Sequence, residues 1–122
     1  MTIKFQEVGE VKSWTNTGSA VAKDAIVAMG CVVGVAVTDI AAGAEGAVKI
    51  IGVLKDVPKT TGTAWTLMLP LNWDVSTSKF DSAAATPATG DVVKCAIAWE
   101  AAGSADTTGV VYITPNPSAV VT

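Results

Sequence analysis

The sequence predicts an all-β fold, either a small β-barrel or a β-sandwich of about seven to nine short strands. Three observations lead to this prediction. Runs of Val and Ile, which are stiff at χ1 and pack well on a pleated sheet, recur along the chain. Glycines interrupt these runs too often for helices, in which each glycine costs about 1 kcal/mol relative to Ala. No window has a clean helical period, so no long helix is expected.

The first half of the chain supplies the predicted core. Residues 3–5 and 8–14 indicate a strand or an extended arm, and the polar residues 16–19 indicate a turn. The apolar region 25–58 predicts two or three buried strands joined by tight turns or bulges. Within it, residues 25–29 offer at most one turn of helix, as does the Ala-rich stretch further on at residues 83–88.

The second half predicts further strands separated by turns. A strand over residues 65–70 is expected to end at Pro70, because proline cannot donate to a strand ladder. A hairpin is expected to follow, with its turn at residues 76–79 and its return through Phe80. After a loop at residues 81–90, the last strands are predicted for residues 91–100 and 109–114, with a turn between them. Pro115 and Pro117 are expected to end regular structure.

Length and composition indicate one domain with a partly covered surface. The 122 residues suit a single domain over residues 1–122, with a candidate N-terminal arm at residues 1–7 and a tail at residues 115–122. Charged residues make up only 16% of the chain, against about 25% in an average soluble domain. This low charge favours a surface covered by self-association or by docking on a larger assembly. The alternative is a surface rich in Ala, Thr and Ser, which the sequence also supplies.

The residues that are missing exclude several functions. The chain has no His and no Arg, and its eight lysines are scattered in a sequence with a net charge of −3. Without Arg forks or a basic cluster, nucleic-acid binding is not expected. Without His, the chain lacks the commonest general base and metal ligand, so we predict no enzyme, no cofactor and no metal. Cys31 and Cys95 are far apart and lie in apolar runs, which favours buried free thiols over a disulfide.

Acidic and aromatic residues each allow two interpretations. Asp39 and Glu45 flank a Gly-rich turn but lack the alternating spacing of a calcium loop, so a turn-forming role is favoured. Asp74 and Asp81 are likewise interpreted as turn residues rather than as a carboxylate pair. The four tryptophans, at positions 14, 65, 73 and 99, are interpreted mainly as core or half-core residues, with partner-binding anchors as the alternative.

Membrane insertion and secretion are not expected. The apolar run at residues 25–38 is interrupted by glycines and is shorter than the roughly 20 residues that span a bilayer. The first residues lack a basic lead into a continuous apolar segment, so they do not form a signal peptide. We therefore expect the protein to be made in a cytoplasm.

Three stretches of the chain resemble a family of small tailed-phage proteins, the capsid cement or head decoration proteins. The stretches are GVAVTDIAAGAEG at residues 34–46, GVLKDVPK at residues 52–59, and the Trp73-Asp74 pair that precedes the predicted hairpin. Gly90-Asp91-Val92-Val93 also matches, ahead of the later strand pair. The resemblance covers roughly residues 8–113.

This resemblance implies a structural protein on the outside of a phage capsid, made in the host cytoplasm. Its implied partners are the major capsid protein and other copies of itself, with a homotrimer favoured and a dimer as the alternative, and no nucleic acid or membrane. A different small component of the same particle, in the tail or in head completion, is the alternative function.

The N-terminal residues and one tryptophan are the candidate contacts. Lys4 and Gln6 alternate with Ile3 and Phe5, so an extended chain would place the two apolar side chains on one face. We expect Ile3, Lys4, Phe5, Gln6 and Trp14 to contact the coat protein or an adjacent subunit. The alternative is that Ile3 and Phe5 close the domain's own barrel.

Overall fold

The structure is a computed structural model that describes residue 3, residues 7–116 and residues 118–122. These residues contain ten strands and no helix. The strands are β1 (Val11–Thr15), β2 (Ile26–Met29), β3 (Val32–Ala36), β4 (Glu45–Lys49), β5 (Gly52–Pro58), β6 (Pro70–Asp74), β7 (Lys79–Ser82), β8 (Val92–Ala98), β9 (Thr108–Ile113) and β10 (Ala119–Val120). The all-β prediction is confirmed, with one strand more than expected.

The first sheet has four antiparallel strands in the order β1-β4-β3-β2. Its β2–β3 hairpin turns through Gly30 and Cys31, between the paired residues Met29 and Val32. Gly30 has a φ of +60°, the left-handed conformation that such two-residue turns require. Residues 25–29, where a turn of helix had been an option, lead into and form β2 instead.

The chain passes from the first sheet to the second between β4 and β5. Gly52 opens β5 with a φ of +141°, a conformation that glycine adopts at little steric cost. Residues 25–58 therefore contain four strands rather than two or three, because the turns at residues 30–31 and 50–51 divide the apolar runs.

The second sheet has the order β5-β9-β8-β6-β7, and β10 also pairs with β8. After β5, Lys59 forms a parallel bridge with Phe80 of β7, and the Thr60 N–H donates to the Phe80 carbonyl at 3.0 Å. This bridge joins the two edges of the sheet at one point and curls the sheet into a half-barrel. The prediction of a barrel or a sandwich is thus met by a curled sheet that packs against a smaller one.

Two hydrophobic clusters lie on opposite faces of the first sheet. The larger cluster consists mainly of residues of the second sheet. Val33 of the first sheet belongs to it, and Ile26 and Val35 of the first sheet pack against it. The smaller cluster lies on the other face and comprises Val27, Ala36, Ile40 and Val48.

Two sequence predictions were wrong in the second half of the chain. The strand predicted for residues 65–70 does not form: residues 66–69 belong to no strand, and Trp65 makes only an isolated bridge with Ala102. Pro70, the predicted end of that strand, is instead the first residue of β6. Proline is tolerated as the first residue of a strand because its missing N–H is not needed there. Regular structure also resumes after Pro115, since Ala119 and Val120 pair with Val93 and Val92 of β8.

The cysteine prediction was right in part. Both thiols are free, as expected, and Cys95 is buried in the larger cluster. Cys31 is only partly buried, because it lies in the β2–β3 turn rather than inside a strand.

Candidate docking surfaces

The described N-terminal residues extend into solvent. The side chain of Ile3 is 96% exposed and that of Val8 is 77% exposed. Ile3 therefore does not close the half-barrel, which removes the alternative interpretation for that residue. The other predicted arm contacts, Lys4, Phe5 and Gln6, lie outside the described residues.

Trp14 lies on β1, at the edge of the first sheet, and packs against the smaller cluster. It pairs with Gly46 of β4, where a Cβ atom would come within 2.5 Å of Ile40. The missing side chain of Gly46 lets Ile40 lie close to the sheet beside Trp14. Trp14 is half-buried as a result, with part of its ring still accessible.

The loop that carries Ile40 covers one part of this face and is held in place by Asn16. The Asn16 side-chain amide donates to the carbonyls of Ser19 at 2.8 Å and Ile40 at 3.2 Å. The Asn16 backbone carbonyl accepts a hydrogen bond from the Gly43 N–H at 2.7 Å. Asn16 is buried, so these hydrogen bonds satisfy a polar group that would otherwise be costly to bury.

The remaining part of the same face forms an apolar groove of about 280 Å³. We use "apolar groove" for the depression lined by Trp14, Met29, Val32, Ile50 and Pro115, together with Lys12 and Ser13. The strands β1, β2 and β3 and the residue after β4 contribute to it. The sequence did not reveal this groove, because its walls come from positions far apart in the chain.

The outer edges of the two sheets are built differently. No strand pairs with the outer edge of β1 within the described residues, and β1 contains neither a bulge nor a proline. The edge strand β5, in contrast, has a register shift between Leu54 and Val57, with Asp56 at a φ of +59° and Pro58 at its end. Bulges and prolines of this kind block the addition of another strand, so β1 is the more accessible edge.

A second exposed apolar surface lies at one end of the second sheet. We call it the Trp99 patch and define it by Leu67, Met68 and Trp99, which are 65%, 46% and 40% exposed. The Met68 N–H donates to the Ala98 carbonyl at 2.8 Å, which holds the patch residues together. The Trp99 ring lies 5.6 Å from the ring of Tyr112, measured between centroids.

Sequence reasoning missed the Trp99 patch because it placed residues 66–69 in a strand. In the turn that they form instead, Met68 has a φ of +61°, a strained conformation for a residue with a side chain. Of the four tryptophans, Trp65 and Trp73 are core residues, Trp14 is half-buried and Trp99 is exposed. The core interpretation is thus confirmed for two tryptophans and for the partly buried Trp14, and it is wrong for Trp99.

Of the acidic residues predicted to form turns, Asp39 and Asp74 do so, whereas Asp81 lies within β7, paired with Asn72, and Glu45 is the first residue of β4. Asp39 accepts a hydrogen bond from the Lys23 N–H at 2.8 Å, and Asp74 accepts one from the Ser76 hydroxyl at 2.6 Å. The bond from Ser76 is the main reason why the pKa of Asp74 lies below its ordinary value. Within the described ranges, no group of three or more Cys, Asp or Glu side chains is placed to hold a metal ion. The same part of the chain has no helix long and apolar enough to cross a membrane.

These features define a small all-β protein with two accessible apolar surfaces, the apolar groove and the Trp99 patch. Residues 6–113 match the family model of the phage cement proteins. The match covers most of the chain, and the protein therefore belongs to the phage cement protein family, a structural family associated with the phage capsid. No curated protein and no solved structure matches the chain.

Proposed function

We propose that this protein binds the outer surface of the assembled phage capsid and stabilises it as a cement protein. The family match over residues 6–113 is the observation that carries this proposal. The mechanism is mass action: a subunit that binds the assembled lattice, but not its dissociated coat proteins, shifts the equilibrium towards the intact shell. At a concentration one hundred times the dissociation constant, each bound site contributes about 2.7 kcal/mol.

The partners in this proposal are the major capsid protein and other copies of the chain. A homotrimer is favoured, by analogy with the local three-fold sites of capsid lattices, and a dimer is the alternative. Several weak contacts made together by one oligomer raise its overall affinity for the lattice. The net charge of −3 and the absence of arginine argue against nucleic acid as a partner, and no membrane is involved. Synthesis takes place in the host cytoplasm, and the protein resides in the virion.

Two regions supply the contacts. The N-terminal arm, through Ile3, Lys4, Phe5 and Gln6, and the neighbouring Trp14 contact the coat protein or an adjacent subunit. The Trp99 patch supplies a second contact with the coat protein, because exposed Trp side chains beside apolar residues are the usual anchors of protein interfaces.

The central experiment adds the purified protein to expanded phage heads that lack it. We expect co-sedimentation with the heads and greater resistance of the heads to heat. Leu67→Ser tests the Trp99 patch, and Val37→Ser is a matched control because Val37 is also an exposed apolar residue. The proposal requires weaker binding for Leu67→Ser than for Val37→Ser. Equal binding of both variants would remove the Trp99 patch from the contact surface.

Deletion of residues 2–6 tests the arm. A thermal unfolding midpoint close to that of the intact chain, together with weaker head binding, would support a contact role. Unchanged head binding would show that the arm makes no contact with the coat protein, and loss of folding would show that it belongs to the domain's own core.

Antibody labelling of virions separates the cement function from the alternative, a tail or head-completion component. A cement protein is labelled over the whole capsid surface. Label confined to the tail or to one vertex would favour the alternative.

A further inference from the structure

We propose that the apolar groove receives the N-terminal arm of a second copy of this chain, with Ile3 of one copy seated beside Trp14 and Met29 of its neighbour. This inference rests on the self-association proposed above and identifies the contact that produces it. Ile3, Val8 and the groove residues all belong to the described part of the chain.

The groove selects for apolar side chains rather than for a small molecule. Its volume of about 280 Å³ is at or below the lower limit of typical ligand pockets, roughly 300–1,000 Å³. Five of its seven lining residues are aliphatic or aromatic, and the other two are Lys12 and Ser13. Ligand sites need polar groups that fix the orientation of the ligand, whereas the accessible lining of this groove is almost entirely apolar. It suits one or two apolar side chains of a polypeptide.

The chain itself supplies such side chains next to the groove. Ile3 and Val8 are 96% and 77% exposed, so these two side chains have no apolar seat on their own subunit. The exposure of apolar surface costs about 25 cal/mol for each Å². The Ile50 N–H donates to the Glu10 carbonyl at 3.0 Å, which fixes the base of the arm beside a groove residue.

The geometry of the arm favours a neighbouring copy over its own groove. The seven residue-to-residue steps from Ile3 to Glu10 span up to about 23–25 Å when extended, enough to cross to an adjacent subunit. In the structure Ile3 lies in solvent rather than in its own groove.

The stoichiometry favours a second copy over a different protein, because each chain has one arm and one groove. Arms passed from each copy to the next give a head-to-tail interface, which forms a ring when the rotation between copies closes.

The first test is the solution mass by light scattering at concentrations up to about 100 µM, which lies well above the µM dissociation constants of weak assemblies. We expect the intact chain to form an oligomer and Ile3→Ser to be monomeric. Ile3 is almost fully exposed, so this substitution does not affect folding. Val37→Ser is the matched control and keeps the oligomer mass. A monomeric intact chain, or an Ile3→Ser variant with the mass of the intact chain, would overturn the inference.

The second test is a mixing experiment that identifies the groove as the acceptor. Met29→Ser, or the nearly isosteric Val32→Thr where Met29→Ser fails to fold, places a hydroxyl group in the apolar lining of the groove but keeps the arm. Each variant alone is monomeric, and an equimolar mixture with Ile3→Ser restores one arm–groove interface and gives a dimer. A mixture that stays monomeric contradicts the arm–groove pairing. Head binding is measured separately: an intact chain that self-associates but does not bind heads refutes the cement function and leaves this contact intact.

Discussion

Lys59 is completely buried, and backbone carbonyls bind its ammonium group. The Lys59 Nζ donates to the carbonyl of Thr63 at 2.8 Å and to that of Thr60 at 3.0 Å, with the carbonyl of Asp106 at 3.5 Å. The ammonium also lies 5.4 Å from the ring centroid of Trp65. These contacts join the loop after β5 to the loop before β9. We therefore expect Lys59 to stabilise the half-barrel at the point where its sheet closes.

Lys59→Met keeps the length of the side chain but removes its donors. The two short hydrogen bonds, both partly buried, are lost, and a hydrogen bond from a charged group contributes about 1.5–3 kcal/mol. The loss of the contact with Trp65 adds to this cost, at about 1–2 kcal/mol for a desolvated cation. Relief of the ammonium's own desolvation offsets part of the total. We expect Lys59→Met to lower the free energy of unfolding by about 2–4 kcal/mol.

Urea unfolding followed by tryptophan fluorescence measures this change by linear extrapolation. Lys55→Met is the matched control, because Lys55 is exposed on β5 and an exposed substitution changes stability by about 0.5 kcal/mol or less. If Lys59→Met has the same free energy of unfolding as Lys55→Met, with unchanged m-values, the carbonyl contacts do not stabilise the fold and the reasoning fails.

Three further predictions concern other parts of the molecule. Gly109→Ala places a Cβ within 2.4 Å of the buried Trp65 ring, so calorimetry should show a loss of about 1–3 kcal/mol, whereas Gly103→Ala, with ordinary contacts, should be neutral. Burial raises the pKa of the Cys95 thiol to about 12, so a thiol reagent should label the partly buried Cys31 in the folded protein and Cys95 only after unfolding; equal labelling rates would contradict this. The pKa of Asp74 is lowered in the folded state, chiefly by Ser76, so its stabilising effect is present above the unfolded pKa and lost as the pH falls through the folded one. Ser76→Ala should thus lower the urea midpoint at about pH 7 more than at about pH 2, and an equal loss at both would refute the assignment.

The strands that the sequence predicted well are those whose signals are local. The hairpin of β6 and β7 turns through small polar residues, and β8 and β9 are Val- and Ile-rich runs between turns. These elements need little information from the rest of the chain. Their core-facing residues, such as Phe80 and Val111, are fully buried as a consequence.

The features that the sequence could not predict depend on contacts between distant positions. Lys59 is buried because carbonyls from two loops meet around it, one of them from Asp106, 47 positions further along the chain. Trp65 does not start a strand because Ala102 and Gly109 fix it across the half-barrel, through a bridge and a close ring contact. The N-terminal candidates were predicted from alternation alone, and only Ile3 and Trp14 among them are described by the structure.

The two sheets differ in how their edges are completed, and this difference indicates where the molecule associates with others. The second sheet completes itself, because the Lys59–Phe80 bridge joins its ends and the bulge at Asp56 protects the exposed part of β5. The first sheet leaves the outer edge of β1 without a partner among the described residues, and the apolar groove lies beside that edge. A subunit that must be stable alone and also fit into a lattice benefits from this separation, because changes at the association surface leave the closed sheet intact. Substitutions in the groove should therefore alter assembly more than stability, whereas substitutions around Lys59 should do the reverse.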